Sequence, residues 1–106
     1  MPDGPTREYE RLTALELNGC PVEIASAELA WVQYWRGEEP AQRDWELVGR
    51  TFEPGLRDGA QPVVITLGTR RLSGRIVLTV SASGGYAVFK GVGLGDLVEV
   101  REVPGS

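Results

Sequence analysis

Residues 62–81, PVVITLGTRRLSGRIVLTVS, constrain the fold more than any other stretch. Two runs rich in β-branched residues, 63–67 and 76–80, flank a short polar link containing glycine. β-Branched side chains are stiff at χ1 and pack well on a pleated surface, so both runs are expected as adjacent antiparallel strands. A chain of 106 residues has room for one core and not two. Its 14 Gly and 7 Pro, set against few helical patterns, predict many short strands joined by turns.

The rest of the chain fits that expectation. In LTALELNGCPVEI, Asn18 and Gly19 supply the two positive-φ positions of a type I′ hairpin turn. Leu15 and Leu17 alternate with Glu16, and Val22 and Ile24 with Glu23, so one face is apolar. Pro21 cannot donate to a ladder, which places its strand at an edge or a strand start. Residues 25–36, ASAELAWVQYWR, admit two readings. A short helix over 26–36 would gather Ala27, Ala30, Trp31, Tyr34 and Trp35 on one stripe. A strand would put Leu29, Trp31, Gln33 and Trp35 on one face, and the density of Trp, Val and Tyr favours it.

A loop is expected over 37–42, then a partner strand over 43–52 with a bulge at Gly49. Residues 53–61 read as a connector, 81–85 as a turn and 86–90 as a strand. Gly91, Gly93 and Gly95 read as a turn or bulge, because the eleven residues that follow Gly95 form no phosphate-binding helix. A last strand over 97–103 would face Val98 and Val100 inward and Glu99 and Arg101 outward. The sum is an all-β chain: a small antiparallel β-sandwich or barrel of seven to eight short strands. It forms one domain over 1–106, with Pro/Gly-rich tails at 1–6 and 104–106.

The residue inventory narrows the chemistry. There is no histidine, which removes the usual proton shuttle, and the single cysteine, Cys20, cannot form an intrachain disulfide and is expected as a small buried or half-buried apolar residue. Catalysis by Ser-His-Asp or Cys-His systems and zinc sites built on His or several Cys are excluded. Glu38, Glu39, Asp44 and Glu46 lack the spacing of a calcium loop and read as a solvated acidic stretch. No enzyme activity, cofactor or metal is expected. Fifteen acids against eleven basic residues disfavour nucleic acid as a partner. No apolar run is long enough to span a membrane, and MPDGPTREYE holds no apolar stretch. A secretory signal is therefore not expected, which places the protein in the cytoplasm or in a particle assembled there.

Two groups stand out as candidate contact residues. Arg70, Arg71 and Arg75 form a local basic spot, either a solvated hairpin tip or a contact for an acidic partner. Trp31, Trp35 and Trp45 would make a flat aromatic surface if they shared one sheet face, and would otherwise fill the core between two sheets. Lys90, the only lysine, reads as a surface residue.

The stretches ALELNGCPVEI and RLSGRIVLTVSASGGYAVFKGVG resemble those of small structural proteins of tailed-phage particles, which pair an Asn-Gly hairpin with a later glycine-flanked strand. The resemblance implies a non-enzymatic β module acting in symmetric copies, with a homo-oligomer or other structural subunits as partners. Edge-strand pairing and burial of apolar patches would hold such copies together, with the tails and the tip at Thr69, Arg70 and Arg71 meeting neighbours. The alternative is a monomeric module that binds carbohydrate on a tryptophan platform.

Overall fold

The computed structural model describes residues 4–52 and 56–100. The chain is all-β and antiparallel, with eight strands: β1 (Thr6–Arg11), β2 (Ala14–Leu17), β3 (Cys20–Val22), β4 (Ile24–Arg36), β5 (Glu39–Thr51), β6 (Gly59–Leu67), β7 (Arg70–Ser83) and β8 (Tyr86–Glu99). They form one sheet in the order β1-β4-β5-β8-β7-β6-β2-β3. The chain ties the two ends of this order together. β1 runs into β2 through Leu12 and Thr13, and β3 runs into β4 through Glu23 alone. At the bend, the Leu12 amide donates to the Ala27 carbonyl and the Thr13 amide to the Thr66 carbonyl. The sheet therefore curls on itself as a half-barrel, with its core on the concave side.

Period-two alternation fills that core. Leu15, Leu29, Leu47, Val63, Ile65, Ile76, Leu78 and Phe89 are fully buried and come from six different strands. Burial of each such side chain contributes about 1.5–3 kcal/mol, so the inward rows carry most of the stability. Thr51 and Gln61 are buried polar residues whose side chains donate to the carbonyls of Glu23 and Arg57.

Several expectations need correction. The strand reading favoured for residues 25–36 holds, as one continuous strand over 24–36 and not the alternative short helix, because the inward row Ala27, Leu29 and Trp31 meets an equivalent row on β5. The loop after it shrinks to Gly37 and Glu38, since β5 already begins at Glu39. Gly49 is no bulge: it pairs in register with Ala27, and a Cβ there would sit 2.5 Å from Phe89 Cζ. The irregularities in the β4–β5 pairing lie at Ile24/Ser26 and Gln33/Trp35 instead. The strands of the 62–81 stretch are adjacent and antiparallel, but the turn between them is tighter than their apolar runs suggest. Leu67 pairs with Arg70 and Val63 with Gly74, so the polar link is itself part of β7. Strand β1 begins at Thr6, the last residue of the expected tail, and Cys20 is exposed on β3 rather than buried.

The last third departs furthest. Residues 86–99 are one strand, within which Gly91 and Gly93 are close-approach points rather than turns. The break comes at Gly95, whose φ is +76°, where the pairing with β7 slips between Arg75↔Leu94 and Ser73↔Val98. The slip adds two residues to β8, which keeps the facing of the strand: Leu97 packs on the core with the inward parity of Phe89, while Val98 and Val100 point outward like Val92 and Leu94, not inward as expected. Arg101 and the expected tails at 1–3 and 104–106 lie outside the described residues.

Candidate functional site

The three tryptophans do not share one surface. Trp31 and Trp45 are direct cross-strand neighbours, yet Trp45 is only 3% exposed. Its indole fills the fork where β8 leaves β5: the β5–β8 ladder ends at Glu46↔Val92, while β8 stays paired with β7 as far as Leu72↔Glu99. The indole N–H donates to the Gly95 carbonyl at 2.8 Å, and the ring lies against Gly93 and Gly74, where any Cβ would collide or crowd. Trp45 is thus a core residue, and Gly74 and Gly93 make room for it.

Trp31 and Trp35 lie farther out on the same concave face of β4, where the β1–β4–β5 layer extends past the core. Trp31 donates its indole N–H to Glu10 Oε2 at 2.8 Å, and Trp35 donates to Thr6 Oγ1 at 3.1 Å. Both rings are tethered by β1, whose register sets Glu8 opposite Trp31 and Thr6 opposite Gln33. Arg43, opposite Gln33 on β5, lays its guanidinium 4.3 Å from the Trp31 ring centroid. Thr6, Glu8, Trp31, Gln33, Trp35 and Arg43 line a shallow cleft of about 280 Å³. Neither Glu8 nor Arg43 belongs to an ion pair among the described residues.

The arginine spot does not assemble either. Alternation along β7 sends Arg70 to one face and Arg71 and Arg75 to the other. Arg70 approaches Glu99 at 3.6 Å and Arg71 approaches Glu16 at 3.5 Å, so two of the three face carboxylates of their own chain. Arg75 sits opposite Pro62 and Leu94.

A second surface was not legible as a site in the sequence. On the convex side, β7 and β8 expose Val77, Val88, Val92, Leu94 and Val98, with Val92 opposite Val77 and Val98 beyond Leu94. Leu94 is 44% exposed and Val98 62%. Lys90 separates Val88 from Val92 on β8, with Val48 and Thr79 opposite it, and bounds the Val77, Val92, Leu94 and Val98 patch at that end. The outward row reads Val88, Lys90, Val92, Leu94, Val98, so alternation marked it as a strand face, but no local signal told which of the two faces was wet. The convex face of the β1–β4–β5 layer differs. There Arg7 pairs with Glu46 at 2.7 Å across Ala30 and Val32, which are buried beneath. The Arg7 guanidinium is held above its ordinary pKa, first by the hydrogen bond to Glu46 and then by its charge.

Among the described residues, no three acidic or cysteine side chains gather as metal ligands, and no helix is long and apolar enough to cross a membrane. Comparison with protein-family models, with curated proteins and with solved structures returns no match to this chain.

Proposed function

We propose that this protein is a non-enzymatic structural module that associates with copies of itself through the convex face of β7 and β8. The observation that carries this reading is the contiguous exposed row of Val77, Val92, Leu94 and Val98. Exposed apolar side chains gathered in one patch and rimmed by polar residues are the usual mark of an interaction surface. A partner placed over it would bury the apolar centre inside a rim of Thr79, Arg75 and Lys90, the usual anatomy of an interface.

The strand edges are poorer candidates than the sequence suggested. β3 carries Pro21 and the start of β5 carries Pro40, which cannot donate to a new ladder. β1 reads TREYER, and a two-fold pairing centred on Tyr9 would oppose Arg7 to Arg11 and Glu8 to Glu10. Like charges directly across a ladder repel, so β1 is blunted against its own copy. Face-to-face packing thus replaces edge pairing as the mode of assembly. The setting implied by the phage-like stretches is a particle built from repeated subunits. A non-catalytic role is supported by the buried polar groups, which among the described residues are Thr51 and Gln61, both bonded to backbone carbonyls.

Light scattering coupled to size exclusion tests the proposal. The native chain is expected to form a discrete oligomer as concentration rises, and Val92→Glu with Leu94→Glu is expected to stay monomeric with an unchanged circular dichroism spectrum. A native chain that stays monomeric to about 1 mM, where even weak specific association shows, ends the proposal.

A further inference from the structure

The concave cleft at the end of the β1–β4–β5 layer is independent of the convex face, and its chemistry points to a different use. We infer that it binds a neutral saccharide, with one pyranose ring stacked on Trp35 and its hydroxyls bonded by Glu8 and Arg43. Trp35 is 38% exposed and its N–H is already taken by Thr6, so the ring offers the cleft an aromatic face and not a donor. A pyranose has an apolar C–H face that suits such a ring, and an edge of hydroxyls that each donate and accept.

The walls supply both halves of that pattern. Glu8 is an acceptor with no ion-pair partner among the described residues, and Arg43 is a planar fork of donors held in place by the Trp31 ring. Gln33 is directly opposite both Thr6 and Arg43, and its amide N–H₂ donates to the carbonyls of Tyr34 and Gln42, which fixes the floor. With Trp31 tied to Glu10 and Trp35 to Thr6, the side chains that would hold a ligand are ordered before it arrives, which lowers the cost of binding. The cleft's volume of about 280 Å³ lies at the lower end for small-molecule sites and suits one or two sugar rings.

Charge separates this reading from its rivals. On the concave side of these three strands, register places Glu8 and Glu10 opposite Trp31 and Leu29, against Arg43 opposite Gln33, two carboxylates to one guanidinium. A phosphate-bearing nucleotide would stack on Trp35 equally well but would meet this acidic surround.

The three indole N–H resonances of the full chain read the binding directly. The probes are glucose, galactose, mannose, N-acetylglucosamine, cellobiose and lactose, titrated separately, with AMP as the anionic stacking control. At least one sugar is expected to shift the Trp35 resonance saturably with a millimolar Kd, leaving the buried Trp45 resonance in place. Trp35→Ala is expected to weaken that binding by about tenfold or more, read on the Trp31 resonance, and Glu8→Ala likewise. The Val92→Glu, Leu94→Glu chain is expected to bind as the native chain does, so loss of assembly and loss of sugar binding are separate results. The inference is overturned if none of the sugars moves Trp35, if the sugar affinity read on the Trp31 resonance is unchanged in Trp35→Ala, or if AMP binds more tightly than every sugar.

Discussion

At the scale of single residues, two glycines of β8 do opposite jobs. Gly93 has no room for a side chain: a Cβ there would lie 2.2 Å from the Trp45 ring, which is itself pinned to the Gly95 carbonyl. Gly95 has open space around it but a φ of +76°, which an L side chain adopts only at a cost. Gly93→Ala is therefore expected to destabilise by about 2 kcal/mol or more through overpacking against a rigid ring. Gly95→Ala should cost only about 1 kcal/mol, through the backbone. Urea denaturation of both variants ranks them, and the reverse order would show that Trp45 can move aside. Thr51→Val is the polar counterpart. It keeps the shape but removes the 2.6 Å bond from the hydroxyl to the Glu23 carbonyl at the β3–β4 bend. A loss of about 1–2 kcal/mol is expected in the same assay, because that carbonyl loses its donor beside a fully buried side chain.

At the scale of elements, the strands differ in how they are held. β7 is bonded on both sides, by β6 from Arg70 to Leu78 and by β8 along nearly its whole length, and it carries Leu72, Ile76 and Leu78 into the core. β1 is bonded to β4 alone, and its residues are almost all exposed. Hydrogen exchange is accordingly expected to protect the centre of β7 to the limit of global unfolding, while β1 exchanges through local opening. Equal protection of β1 and β7 in the monomeric Val92→Glu, Leu94→Glu chain would contradict this picture. The long strands β5 and β8 also show why the cleft exists. They separate after Glu46↔Val92, and the β4–β5 arm beyond that point keeps its inner face but loses the opposing layer. Side chains with inward parity, Trp31, Gln33, Trp35 and Arg43, thereby become the walls of a cleft instead of core.

At the scale of the whole molecule, a concave polar-aromatic face and a convex apolar face are carried by one curled sheet. If the convex face is the assembly surface, association adds to stability by mass action. The melting temperature of the native chain is then expected to rise with protein concentration, and that of the Val92→Glu, Leu94→Glu chain to stay constant. A concentration-independent Tm for both would argue against association at this face.

The sequence by itself determined that this chain is an antiparallel β domain: β-branched runs, the Asn18-Gly19 turn and alternation along 12–24 are local properties that survive any tertiary context. Asn18 and Gly19 do take positive φ, at 54° and 79°, and Leu15, Leu17 and Val22 do face the core. The absence of histidine likewise removed whole classes of chemistry before any coordinate was known. Alternation, however, states only that two faces differ. Which face is buried depends on how the sheet curls, and Val98 and Val100, which share the parity of Val92 and Leu94 through the two-residue slip at Gly95, came to lie on the convex, exposed side. The fate of each tryptophan was equally a tertiary matter. Trp31, Trp35 and Trp45 have the same inward parity, and only the point at which β8 parts from β5 made one of them core and left the other two at the lip of a cleft.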